Sequence, residues 1–286
     1  FTVLVGTLFP IVAEAVRGVK VSVGEPYYNR MSVPVFLALL LLMGIGPALP
    51  WGRAKTELVR RALVRPLPAG AAALALVFLL GGRTWSVLLT AFLAGYALWV
   101  TTDQALRPAR SRRARGEKAG AALGRSVLRS PRRLGAYVVH FGVIVTFAAV
   151  AVSANYQSSH EATLRPGDTM EVSDYDLTFK TTRVVRNPHM VAQTADVEVI
   201  RGDSPVGELA PSINHYPTQR EPLGTPAVHT TATHDLYLTL MNVGSDGTIG
   251  LRAIVTPAVV WIWIGVLVMV VGTVLCLVRP RREAAP

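Results

Sequence analysis

The sequence is short of charge and of sulfur. Only 16% of its 286 residues are Asp, Glu, Lys or Arg, and 51% are hydrophobic, whereas a water-soluble globular chain carries about 25% charge. An ordinary soluble domain is thereby disfavoured, and so is a disordered chain, which needs low hydrophobicity and high net charge. The one cysteine, Cys276, can build neither a disulfide framework nor a thiolate metal site. The glycines follow no triplet period, which excludes collagen. No nucleotide-binding loop, Ser/His/Asp set, carboxylate pair or His-Glu-x-x-His pattern is found. The sequence opens at Phe1, already inside an apolar run, and a longer parent chain, truncated or split between two genes, is expected.

What the sequence has is long apolar runs. Crossing a hydrocarbon core of about 30 Å takes about 20 apolar residues in a helix, which satisfies its own backbone hydrogen bonds. Val33 to Trp51, Gly135 to Ser153 and Pro257 to Val278 meet that length, and Phe1 to Val16 reads as the end of another span. Pro66 to Gly82 and Thr84 to Val100, split by Gly81-Gly82-Arg83, are close to the lower limit of about 17 residues. They form either a transmembrane hairpin or a re-entrant pair.

The net charge of +11 is distributed unevenly. Residues 52–66, 101–134 and 279–286 carry +4, +8 and +2, while 153–256 carries −5. The three basic segments are those that alternate topology puts on one face, and the positive-inside rule makes that face cytoplasmic. The basic charge therefore reports topology, and no nucleic-acid partner is expected, because base-stacking aromatics are not interleaved with it. Trp51, Trp99 and Tyr137 fall at the inner ends of spans, and Trp85, Tyr156, Trp261 and Trp263 fall at or near outer ones, as headgroup-level aromatics do.

Residues 153–256 are the one sizeable aqueous segment, long enough for a small domain. Tyr175 to Lys180 and Asp196 to Val199 alternate apolar with polar, the period of a strand with one buried face. Asp235 to Val243 and Thr248 to Val255 flank Ser245-Asp246-Gly247, a hairpin turn in which Gly accepts positive φ. The fold class predicted is a polytopic α-helical membrane protein with one small extracytoplasmic all-β domain. Residues 1–152 supply helices and basic cytoplasmic loops, 153–256 the β domain, and 257–286 the last helix and a cytoplasmic tail. Lipid is the surrounding partner, in a cytoplasmic (inner) membrane.

Among six histidines, His140 stands out because it lies inside an apolar run. Ionisable groups at membrane depth are costly and serve as ligands, relays or hydrogen-bond anchors. At 1.5 Å per residue His140 is about 10 Å beyond Arg133. It shares a helix face with Ala136, Ile144, Phe147 and Ala151, while Gly135, Gly142, Thr146, Ala149 and Ser153 form a small-residue stripe on the opposite face that admits a close neighbour. Two roles are open: a hydrogen bond to a neighbouring helix, or a ligand to haem iron. His160, His189, His215, His229 and His234 are irregularly spaced in the outer segment and read as solvated. Cys276 reads as a packing residue, and Glu14 as an interfacial partner of Arg17 or Lys20.

Several motifs occur together and in order. Val5 to Pro10, Val21 to Asn29, Met43 to Pro47, His140 to Val143, Asp235 to Tyr237 and Trp261 to Gly265 resemble the later part of the CcmF family, the haem-lyase subunit of cytochrome c maturation. The resemblance implies a b-type haem held in the membrane by two histidines and covalent haem attachment to apocytochrome c on the outer side. It implies a CcmE-type haem chaperone and a CcmH-type subunit as partners. On that carry-over His140 is one axial ligand of haem b. The second histidine and the tryptophan-rich haem-handling segment belong to the family's earlier part, so this chain is not expected to catalyse attachment without it; the catalytic residues are unassigned. Asn214, His215 and His234 stand where the family has basic residues. The alternative reading is a permease or scaffold subunit with a partner-binding outer domain, in which His140 is structural. Near-absence of charge from the spans weighs against a permease path.

Overall fold

The computed structural model describes residues 2–18, 24–49, 55–217, 219 and 221–278. Phe1, Lys20, Trp51, the Val21 to Val23 part of one motif and the basic tail 279–286 lie outside the described residues. Two compact units are present. One comprises residues 1–151 and 264–286, the other 152–263.

The first unit is helical. Its elements are α1 (Thr2–Arg17), α2 (Glu25–Ile45), α3 (Thr56–Val64), α4 (Leu67–Leu79), α5 (Trp85–Arg113), α6 (Ala119–Arg129), α7 (Pro131–Asn155) and α8 (Val259–Leu277), with α7 and α8 running on into the second unit. Among the described residues, five stretches are long and apolar enough to cross a membrane: Tyr27–Ala48, Thr56–Leu79, Trp85–Arg113, Pro131–Asn155 and Val259–Leu277. α1, at 16 residues, falls short of the ~20 needed.

The 66–100 region differs from the short pair expected. α3 leads through Arg65 and Pro66 into α4, so the first arm has 24 residues, and α5 has 29. Length therefore gives no ground for re-entry. Pro66 has no N–H to donate to the carbonyl of Ala62, which marks the break between α3 and α4. At the turn, Gly81 has φ +97°, a conformation glycine adopts without strain. Arg83 closes the end of α4, donating to the Phe78 carbonyl with its guanidinium 3.9 Å from the Phe78 ring centroid.

Small residues set the helix contacts. A Cβ on Gly142 would lie 2.7 Å from the Gly265 carbonyl oxygen, and one on Gly272 would lie 2.8 Å from that of Gly135. The stripe read from the sequence on α7 thus meets a matching glycine pair on α8, in antiparallel sense. Gly44 of α2 is similarly pressed against the Tyr96 ring, whose hydroxyl donates to the Leu63 carbonyl at 3.0 Å. Tyr96 links α2, α5 and the end of α3.

The second unit is a β-sandwich. Its strands are β1 (Ser158–Leu164), β2 (Thr169–Val172), β3 (Tyr175–Asn187), β4 (Met190–Arg201), β5 (Ser204–Leu209), β6 (Ser212–His215), β7 (Leu223–Thr225), β8 (Ala227–Thr230), β9 (His234–Val243) and β10 (Ile249–Pro257). One sheet has the order β1-β10-β9-β8, the other β2-β3-β4-β6-β7 with β5 also on β4. Tyr175, Leu177, Phe179, Val197 and Val199 from one sheet meet Leu236, Leu238, Leu251 and Ala253 from the other in a common core. Every second residue of Tyr175 to Phe179 is buried, as the alternation predicts. In 196–199 the pattern is imperfect, because Asp196 is buried beside Val197; a register shift opposite Phe179 and Thr181 falls at this point. The β9–β10 turn occurs at the expected place: Gly247 has φ +81°, and Asp246 accepts from the Thr248 amide and hydroxyl.

Candidate functional site

His140 lies in the middle of α7, half-buried, with its Nδ1 fully buried and without a hydrogen-bond partner among the described residues. Ile144, one turn on, is 4% exposed and belongs to a cluster with Leu40 of α2 and Leu93, Ala94 and Ala97 of α5. Phe147, on the same face of α7, packs against that cluster and stacks at 4.9 Å on Phe36 of α2. The opposite face carries Gly135 and Gly142 against α8. Thr146 returns its hydroxyl to the Gly142 carbonyl of its own helix at 2.9 Å, so it donates nothing across to the imidazole.

A buried polar atom without a partner costs about 1–3 kcal/mol. A packing histidine would be expected to spend Nδ1 on an interhelical bond, and among the described residues it does not. An imidazole on an apolar wall fits the donor chemistry of haem ligation, with Nε2 as the donor, because Nδ1 is covered by the chain itself. Among the described residues no group of three or more His, Cys, Asp or Glu side chains could hold a metal ion. Among the described residues His140 is the one histidine of the helical unit.

The other histidines are in the second unit. His160, His189 and His215 are exposed, matching the solvated reading. His234 departs from it: Nε2 pairs with the Tyr175 hydroxyl at 2.8 Å and Nδ1 with the Thr233 hydroxyl at 2.9 Å. Arg201 is 5.6 Å from the Tyr175 ring centroid and bonds Asp174 at 2.5 Å. Partial burial, then the Arg201 guanidinium, hold His234 below its ordinary range. For Asp174, partial burial pushes upward but is outweighed by the Arg201 hydrogen bond and charge, so its carboxyl lies below the usual range. The same corner anchors the start of α8: the Ala258 amide donates to the Thr233 carbonyl at 2.8 Å and the Trp261 indole to the Ala232 carbonyl at 3.0 Å. Sequence spacing carries no signal of this cluster, in which Tyr175 and His234 are 59 residues apart.

Cys276 is a packing residue with a weak bond, its thiol lying 3.4 Å from the Arg132 carbonyl. No ion pair joins Glu14 to Arg17 among the described residues; both side chains are exposed, where such pairing contributes little.

With this arrangement in view, comparison with known proteins is specific. Residues 155–257 match the family model described as the CcmF C-terminal beta-sandwich. The chain is 30% identical over 281 residues to the cytochrome c-type biogenesis protein CcmF of Escherichia coli, covering 98% of this chain and 41% of that one. It is 32% identical over 284 residues to the cytochrome c-type biogenesis protein ccl1 of Rhodobacter capsulatus, covering 99% and 42%. A solved structure titled Cytochrome c Heme Lyase CcmF superposes with a TM-score of 0.74 at 29% identity, covering 97% of this chain and 43% of that one. The chain thus spans about two-fifths of the length of the relatives it matches. The combination of apolar helices and a β-sandwich is the fold class expected, and the motif resemblance extends over the whole chain.

Proposed function

Starting from the chain's kinship with the C-terminal part of the CcmF family, we propose that it is the later segment of a haem lyase subunit, supporting covalent attachment of haem to apocytochrome c. His140 would hold a b-type haem in the membrane, together with a second ligand from polypeptide corresponding to the earlier part of the family. The observation that carries this reading is the imidazole of His140 on the apolar face of α7, whose covered Nδ1 makes no interhelical hydrogen bond among the described residues, leaving Nε2 as the nitrogen for iron. Bound there, the haem supplies one-electron redox chemistry.

The residues of this chain have separable duties. His140 shares a face of α7 with Ile144 and Phe147, apolar side chains that pack into the cluster with α2 and α5. The glycine faces of α7 and α8 fix the rotation of α7 by close contact, and so fix where the imidazole is presented. Residues 153–256 act outside the cytoplasmic membrane, where a CcmE-type haem chaperone, a CcmH-type subunit and apocytochrome c are met; 1–152 and 257–286 form the membrane part. The basic segments at 101–134 and 55–65 support that orientation.

The test is the haem spectrum of the complete protein, this chain together with its N-terminal counterpart. His140→Ala should abolish or strongly weaken the b-type absorbance while the protein still accumulates and β-unit unfolding is unchanged. A variant with the spectrum of the unmodified protein overturns the ligand role.

A further inference from the structure

A second site lies at the basic end of the helical unit. Between α3 and α5 is a cavity of about 300 Å³ lined by Arg61, Arg65 and Arg107 with Trp99, Asp103 and Gln104, its remaining wall being alanine, leucine and valine. Counting from Trp85 along α5 at 1.5 Å per residue, Trp99 is about 21 Å and Arg107 about 33 Å along the axis. A hydrocarbon core is about 30 Å thick. The cavity therefore falls at the level where lipid headgroups lie when α5 spans a bilayer.

The charges in the cavity are arranged for an anion. Asp103, its one acidic residue, is already engaged by Arg107 at 3.2 Å and by Arg110, so its carboxylate is neutralised from outside the cavity as well as within. Arg61 bonds Glu57 at 2.8 Å through Nε, which leaves its terminal nitrogens. Arg65 is exposed and makes no ion pair among the described residues. Gln104 is only 6% exposed and lines the cavity with an amide that can donate, as can the indole of Trp99. Guanidinium groups recognise phosphate in bidentate fashion, and apolar walls beside them suit the first methylenes of acyl chains.

We propose that this cavity binds the phosphate of an anionic phospholipid headgroup, clamped by Arg65, Arg61 and Arg107 and bordered by Trp99. Its position at headgroup depth and its apolar wall select the lipid over free phosphate. The site shares no residue with the haem ligand proposed above, and its failure or success leaves that reading unaffected.

The test is native mass spectrometry of the full chain released from nanodiscs containing equal amounts of phosphatidylglycerol and phosphatidylcholine with the same acyl chains. Phosphatidylglycerol should be retained over phosphatidylcholine, and Arg65→Gln should lower that retention about fivefold, the worth of one arginine near an anionic surface. The triple variant R61Q/R65Q/R107Q should abolish it. Arg60→Gln removes an equal charge from the same helix outside the cavity and should leave retention unchanged. Equal retention of the two lipids, an Arg65→Gln variant that behaves like the parent, or an equal loss in Arg60→Gln overturns the site. In a separate arm, displacement of the lipid by millimolar inorganic phosphate would assign the cavity to a soluble anion and overturn the lipid assignment.

Discussion

Gly142 and Phe179 both lie at packed contacts, one between helices α7 and α8 and the other between two β-sheets, yet they are at opposite ends of the size scale. In the helical unit the contact exists because nothing projects: a Cβ on Gly142 would meet the Gly265 carbonyl at 2.7 Å. In the β unit it exists because a large ring projects and is fully buried among Leu, Val and Tyr side chains. The solvent explains the difference. Lipid tails are as apolar as leucine, so helices gain from close backbone approach rather than from hiding side chains, and Leu79 of α4 is left 81% exposed. In the β unit, water penalises each exposed apolar side chain, so burial itself drives association. Stability should therefore respond to volume with opposite signs in the two units.

Removing volume from the sandwich is the largest expected effect. Phe179→Ala should destabilise the β unit by about 3–5 kcal/mol, measured as a lowered urea midpoint in the full chain. Adding volume to the helix pair comes next. Gly142→Ala should gain about 1 kcal/mol in helix propensity but lose about 1–3 kcal/mol by overpacking against backbone. The net outcome is a lowered thermal midpoint for monodisperse protein in detergent. A more stable Gly142→Ala variant would break the comparison, since propensity would then outweigh packing.

The small-residue face of α7 was readable because its determinant is local: spacing along one helix reports which residues share a face. Its partner glycines, 265 and 272, could not be paired with 142 and 135 by spacing alone. The sandwich was readable as strands and one turn, again from local period and from Gly247. The order of strands in its two sheets depends on contacts between distant segments, which no local period encodes. His140 was conspicuous for the same local reason, a titratable residue within an apolar run. His234 reads as solvated from the sequence because its partner Tyr175 is 59 residues away. The α3–α4 arm is longer than its sequence suggests because Pro66 and the arginines before it read as the end of a span, whereas the helix resumes after one break. The arginines of the cavity read from the sequence only as topology-setting charge, since convergence of Arg61 and Arg107 requires the packing of two helices.

The smallest effect concerns the polar corner of the β unit, where neither volume rule applies. Partial burial and then Arg201 keep His234 below its ordinary value of 6.5, so the neutral ring is the form the fold prefers. An unfolded chain takes up a proton just below that value while the folded chain resists it. Stability is therefore complete above the unfolded value and declines as pH falls through the window between the two. Asp174 works in a lower range: its depressed carboxyl contributes stability above its ordinary value of 3.8, lost on further acidification. Urea midpoints of the full chain at about pH 7 and about pH 5 isolate the histidine. His234→Gln should cost about 1 kcal/mol at the higher pH, the worth of one hydrogen bond, and should flatten the fall toward the lower. If the parent and the variant lose stability equally on acidification, the Tyr175–His234 contact is not what titrates, and the pH response of the β unit belongs to other groups.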